Sequence, residues 1–354
     1  MTNEQTLEFL TTAANQHASD IFIIAGRPLS IKVDGHLTNH GERLMPDDTK
    51  QILESIYQMA NNRDLNRLLN TGDDDFSFSI LGLSRFRINA YKQRGSLAAV
   101  IRVIAFQLPD PSELSIPDDV MQTADYTKGM VLVTGSAGSG KSTTMACLID
   151  RINHSREGHI ITLEDPLEYL HRHDRCIVSQ REICTDTENY LTSLRATLRQ
   201  SPDVILLGEM RDHETIQTAM TAAETGHLVL SSLHTLGAAN SISRIIDVFE
   251  PAQQHQIIVQ LSMVLQAVIS QQLIPDVNGK VIPVFEVMRL TPAIRNMIRD
   301  NKLHQIEGVI ASSPQDQMRS MDHSLAELYK QGRIHKDTAI KYALNPDMIR
   351  HKLV

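Results

Sequence analysis

At 354 residues the chain exceeds what one core usually fills, so two domains are expected, and 42% hydrophobic with 21% charged residues excludes a disordered or fibrous polymer. A net charge of −8 speaks against broad nucleic-acid binding, which needs a basic surplus. Cys147, Cys176 and Cys184 show no paired spacing, which argues against a disulfide framework and for a reducing cytoplasm.

The opening MTNEQTLEFLTTAANQHASD joins no basic stretch to an apolar core, so no export signal is read there. Leu7, Phe9, Leu10, Ala13 and Ala14 recur at helical spacing, and DIFIIA at 20–25 reads as a strand. LSIKVDGHLT at 29–38 alternates around Asp34-Gly35, a dipeptide suited to a tight hairpin. Ile52, Leu53, Ile56 and Tyr57 mark a second helix, and FSFSI, RFRINAY and SLAAVIRVI read as strands. This half is expected to be α+β and largely antiparallel, over residues 1–106.

Pro109, Pro111 and Pro117 interrupt helices and central strands alike, so 107–119 is read as a linker and 120–354 as a second domain. There the runs MVLVTG, HIITLE, DVILLGE and HLVLSSL alternate with helical stretches, the pattern of a parallel sheet covered on both faces. IIVQLSMVLQAVIS at 257–270 is too short and too polar for a bilayer span and reads as a core helix. Beyond about residue 290 the chain reads as helical, without internal repeats.

Chemistry enters where MVLVT runs into GSAGSGKS, residues 135–142, which fits G-x-x-x-x-G-K-[ST] between a strand and a helix. Such a loop curls main-chain N–H groups around phosphate oxygens, using Ser136, Ala137, Gly138, Ser139, Gly140 and Thr143 along its course. Lys141 is expected at the β- and γ-phosphates and Ser142 on Mg²⁺. A partner carboxylate belongs at the end of a neighbouring strand, and Glu209 follows VILLG in that position, able to reach the metal through water. An acid there also suits the start of the next helix, so Glu209 alone leaves both readings open. HIITLEDPLE ends in Glu164, Asp165 and Glu168, and Glu164 suits a base for the attacking water, although Asp-Pro is also an ordinary turn signal. His227 and His234 bracket GHLVLSSLHT and could donate to a phosphate, or simply cap and pack. His171, His173 and Cys176 have no recognised metal-ligand spacing.

In this order GSAGSGKST, ITLEDPLE, VILLGEMRD and TGHLVLSSLHT resemble the Walker A, Asp box, Walker B and His box of the secretion ATPases of type II and type IV pilus systems. AIRNMIRDNK at 293–302 resembles the AIRN signature of the retraction, twitching-motility branch. The resemblance implies an α/β fold in which a smaller α+β, PAS-like domain precedes a RecA-like P-loop ATPase domain. It implies an ATP- and Mg²⁺-dependent homo-hexameric ring, cytoplasmic, docked on a platform protein at the inner face of the cytoplasmic membrane. Through it Glu164 is the expected base, Glu209 the Walker B carboxylate, and His227 and His234 the His-box imidazoles. FRINAYKQRGSLAAVIR looks like the family stretch whose arginines reach the phosphates, here Arg87 and Arg102. ASDIF carries Phe22 where the family has histidine, and Ser136-Ala137 stands where relatives often have Pro-Thr. The family's four-cysteine cluster, frequent in assembly ATPases, is missing, which favours retraction over assembly; a DNA translocase and a ring partner without turnover are the rivals from other classes.

Overall fold

A computed structural model describes residues 2–33, 35–104, 108–313 and 316–353. Asp34 of the expected hairpin, 105–106 at the end of the expected first domain and 107 at the start of the expected linker lie outside them. The chain divides into two compact units, one of Met1–Gln107 with Glu168–Leu170 and one of Leu108–Leu167 with His171–Val354.

The smaller unit runs α1 (Asn3–Asn15), β1 (Asp20–Ile23), β2 (Leu29–Val33), β3 (His36–His40), α2 (Pro46–Met59), α3 (Asn66–Thr71), β4 (Asp73–Ile80), β5 (Ser84–Gln93) and β6 (Ser96–Ile104). Among the described residues its strands form an antiparallel sheet in the order β3-β2-β1-β6-β5-β4. Period-two alternation gives that sheet two unlike faces. Phe86, Ile88, Ala99 and Ile101 point inward to join Leu10, Ile52, Leu53 and Ile56 of the helices in one core. Arg87 and Arg102 point the other way, on the face that carries no helix core.

The larger unit begins with α4 (Asp118–Met121), β7 (Gly129–Thr134), α5 (Lys141–Ser155), β8 (Gly158–Glu164), β9 (Cys176–Glu182), α6 (Tyr190–Thr197), β10 (Val204–Leu207), α7 (His213–Glu224), β11 (Leu228–Leu233) and α8 (Ala238–Asp247). It continues with α9 (Pro251–Val264), β12 (Leu265–Pro275), β13 (Val281–Arg289), α10 (Pro292–Arg299), α11 (Ile306–Ser312), α12 (Met321–Lys330), α13 (Lys336–Tyr342) and α14 (Pro346–Lys352). The sheet order is β13-β12-β7-β11-β10-β8-β9, parallel except for the β12–β13 pair. The strands β7, β10 and β11 are buried throughout, as a parallel sheet covered on both faces requires, and separate hydrophobic clusters fill its two sides. Leu108, Leu114 and Ile116, from the proline-rich stretch, pack into one of these clusters.

One expected element is corrected. Residues 257–270 are not a single helix: α9 stops at Val264 and the chain continues as β12. β12 lies between β7 and β13, so hydrogen bonding on both edges and burial of Val268 and Ile269 decide its conformation against the local helical reading. The segment after 290 is helical, α10 to α14, with a short 3₁₀ turn at Leu303–Gln305. No helix among the described residues is long and apolar enough to cross a membrane.

Candidate functional site

Parallel register fixes which residues share the carboxyl edge of the larger sheet. Thr134 pairs with Leu233, Leu207 with Ser231, and Leu207 with Leu163. The segments that leave these strands therefore emerge side by side: the loop 135–140, His234, Glu209 and Glu164. This is the edge where open α/β sheets place ligands.

The loop turns on glycines. Gly135 has φ +147°, and a Cβ there would stand 2.2 Å from the carbonyl oxygen of Gln271 on β12. Gly140, with φ +85°, caps α5 without a side-chain hydrogen bond. Such a helix end favours an anion. Lys141 is buried, and its Nζ donates to the carbonyls of Gly135 at 3.0 Å and Ser136 at 2.8 Å. Ser139 Oγ is buried and has no hydrogen-bond partner among the described residues. Ser142 stands in the first turn of α5, and Thr144 Oγ1 donates to Gln271 Oε1 at 2.7 Å.

The carboxylates arrive from neighbouring strands. Glu164 is the last residue of β8, and Glu209 follows β10 after Gly208, whose N–H donates to the Leu163 carbonyl at 2.8 Å. Glu209 is largely buried, which alone would raise its pKa. Hydrogen bonds from Arg211 and His234 outweigh burial and hold it below the usual carboxylate range. His234 Nε2 lies 3.1 Å from Glu209 Oε2, and Arg211 pairs with the other oxygen. Asp212 does not face this cluster; its carboxylate caps α7 by accepting from the Thr215 N–H at 2.8 Å.

Sequence reasoning missed two residues at this edge. Gln271 buttresses the loop three times over, through its carbonyl at Gly135, its amide nitrogen beside Gly140 and its side-chain oxygen at Thr144. The segment around it reads as helix, and that hid its position on a strand next to β7. Tyr190 opens α6 and lies between the two acidic strand ends: a Cβ on Gly208 would meet its Oη at 2.9 Å. Burial first, and then Asp165, Glu209 and Glu164, push the Tyr190 phenol upward, so it remains a protonated donor.

His227 is a second correction. It precedes β11, its carbonyl accepts from Gly129 at the beginning of β7, and its Nδ1 lies 2.9 Å from the Ala222 carbonyl. It therefore stands at the opposite edge of the sheet from His234, roughly 20 Å away at about 3.3 Å per strand residue. His234, by contrast, stands beside Glu209 at the carboxyl edge.

A cavity of about 300 Å³ adjoins the loop, with Gly140, Thr143 and Gln271 on one side and Leu114, Ile116 and Leu273 among its apolar walls. In the smaller unit, Arg87 and Arg102 are cross-strand partners. Arg87 makes a two-pronged pair with Asp75, at 2.7 and 3.2 Å, and Arg102 Nε lies 3.4 Å from Asp20 Oδ1. Phe22 stands opposite Val100 on the adjoining strand.

Ser142 and Glu209 offer oxygen donors, and a carboxylate held ionised suits a hard divalent cation bound through water. Among the described residues no three His, Cys, Asp or Glu side chains gather as a metal-holding group. Around the sequence candidates His171, His173 and Cys176, burial pushes His171 down to about 4, His173 Nδ1 accepts from the Val178 N–H, and Cys176 Sγ donates to the Arg156 carbonyl.

Residues 3–311 match the family model of the type II/IV secretion system protein. The chain is 41% identical over 340 residues to the type IV pilus retraction ATPase PilT of Pseudomonas aeruginosa, covering 96% of this chain and 98% of that protein. It is 39% identical over 344 residues to a twitching motility protein of Neisseria gonorrhoeae, covering 96% and 91%. A crystal structure of the pilus retraction motor PilT with bound ADP is similar at 42% identity and a TM-score of 0.88, over 98% of both chains. A P-loop, two acidic strand ends and likeness along the full length of these relatives agree: the chain belongs to the type II/IV secretion system protein family.

Proposed function

We propose that this chain is a Mg²⁺-dependent ATPase of homo-hexameric rings that drives type IV pilus retraction. The reading rests on one observation, the meeting of Lys141, Glu164, Glu209 and His234 at a single sheet edge, taken with relatives along its whole length that are named for retraction and twitching motility. In this reading the larger unit is the RecA-like motor domain, beginning near residue 120, and the smaller one is PAS-like. ATP is held by the loop 136–143, with its base in the cavity walled by Leu114, Ile116 and Leu273.

Each side chain then has a distinct task. Lys141 exchanges the carbonyls of Gly135 and Ser136 for phosphate oxygens. Glu164 accepts the proton of the attacking water, and Tyr190 keeps a neutral donor between the two carboxylates. Glu209 stays ionised, and with Ser142 it would hold Mg²⁺, which supplies charge neutralisation at the phosphates when bound. His234 orients Glu209. Arg87 and Arg102 are assigned to transition-state charge, giving up Asp75 and Asp20 for phosphate oxygens. Exchanging one anionic partner for another costs an arginine little, which makes a reversible contact, and such a contact suits coupling of hydrolysis to movement. His227 is left out of the hydrolytic set of its own chain.

The ring is placed in the cytoplasm against an inner-membrane platform protein. Deleting the gene tests the direction of work. Retraction predicts cells that accumulate surface pili and lose twitching; cells without pili would assign the chain to assembly instead. Turnover stimulated by DNA would point to a translocase, against which the net charge of −8 speaks.

A further inference from the structure

Glu286 on β13 is 2% exposed. Burial pushes its pKa up to about 6, while hydrogen bonds from two backbone amides pull it down. Those amides come from distant places. Oε1 accepts from Ala238 at 2.8 Å, the first residue of α8, and Oε2 accepts from Met321 at 3.3 Å, the first residue of α12. Both helices aim the positive end of their dipole at one carboxylate. Apolar side chains of the same volume would fill this place without the cost of burying a charge, so what the charge adds is the joining of two helix starts.

Each helix start leads somewhere. The segment Thr235–Gly237 links α8 to His234, and the Gly237 N–H donates to Ser270 Oγ at 2.8 Å, which pins that segment a second time. On the other side, Asp322 of α12 accepts from the N–H groups of Leu344 at 2.7 Å and Asn345 at 3.0 Å, at the start of α14. An unbroken series of hydrogen bonds and short segments therefore runs from α14 through α12 and Glu286 to the loop that aims His234 at Glu209.

We propose that Glu286 is a positioning residue of the hydrolytic edge, a joint through which the C-terminal helices α12–α14 set the place of His234 against Glu209. This rests on the ATPase reading above. Glu286→Gln keeps one acceptor and presents an amide donor to the second N–H, which breaks one arm of the joint while keeping the volume. The test uses the full-length ring, measuring kcat and KM for ATP together with amide exchange by mass spectrometry. Expected is a fall in kcat of about tenfold with KM within about twofold of wild type, and faster exchange confined to 235–241 and 320–324. Unchanged kcat overturns the inference. So does a loss of kcat accompanied by a higher KM and faster exchange throughout, since that pattern is general destabilisation. Should Glu286→Gln fail to fold, Ser270→Ala loosens the same loop with the carboxylate intact; faster exchange over 235–241 with kcat unchanged would overturn the inference equally. A wild-type ring that hydrolyses ATP alongside an equally active Glu286→Gln ring sinks this inference alone, whereas an inactive wild-type ring removes the ATPase reading and this with it.

Discussion

Gln271 stands at the phosphate loop because β12 lies next to β7, and from 127 residues away in sequence it accepts from Thr144 in the first turn of α5. Removing its side chain leaves Thr144 Oγ1 buried without its acceptor, a loss of about 1–2 kcal/mol. Gln271→Ala should therefore weaken nucleotide binding roughly tenfold by calorimetry without changing the circular dichroism; equal affinity would show that the glycines shape the loop unaided. This residue also marks the limit of what the sequence discloses. GSAGSGKS, Glu164 and Glu209 could be proposed from the sequence because each motif is contiguous and the chemistry assigned to it calls for those residue types at those spacings. Gln271 and Tyr190 could not, because their roles arise from strand adjacency and from the gap beside Gly208, which exist only in the folded chain.

Local pattern identifies an element when its neighbours agree with it. The strands β7, β8, β10 and β11 read correctly since each is an apolar run set between helical stretches. The stretch 257–270 misleads because its apolar content fits helix and strand equally, and the decision falls to pairing with β7 and β13. β11 adds a lesson of its own: two histidines bracketing one strand cannot share an edge of a sheet. In the smaller unit a single buried carboxylate ties α2 to β4. Asp74 accepts from Tyr57 Oη at 2.9 Å and from Arg63 at 2.8 and 2.9 Å, and Arg67 lies 3.3 Å away. Burial opposes its charge, but Arg63 and Tyr57 outweigh that and depress its pKa. A depressed carboxylate stabilises the fold above its unfolded pKa and loses that contribution as pH falls through the folded value. Asp74→Asn should therefore cost about 2 kcal/mol in a urea melt at neutral pH, with the gap to wild type closing only below about pH 4. A gap of the same size in strong acid would show that packing, not charge, sets the cost.

At the scale of the whole chain, two compact units are joined in one polypeptide. The larger brings the loop 135–140, Glu164 and Glu209 to one sheet edge, and the smaller carries two arginines on a face free of helix core, each already paired with an aspartate. The proposed motor reading draws on both, a site for hydrolysis and arginines able to exchange one anionic partner for another. The division into two compact units between Gln107 and Leu108 falls beside the prolines of 107–119, and the parallel sheet was legible from its apolar runs. How Glu286 gathers the starts of α8 and α12 was not, since a lone glutamate in an apolar run carries no motif. The central claim is that Lys141 and Glu164 act on one triphosphate, and phosphate release from purified full-length protein with ATP and Mg²⁺ tests it most directly. Wild type should turn over, and Lys141→Ala and Glu164→Ala should each fall at least about a hundredfold; turnover equal to wild type in either variant would contradict the account.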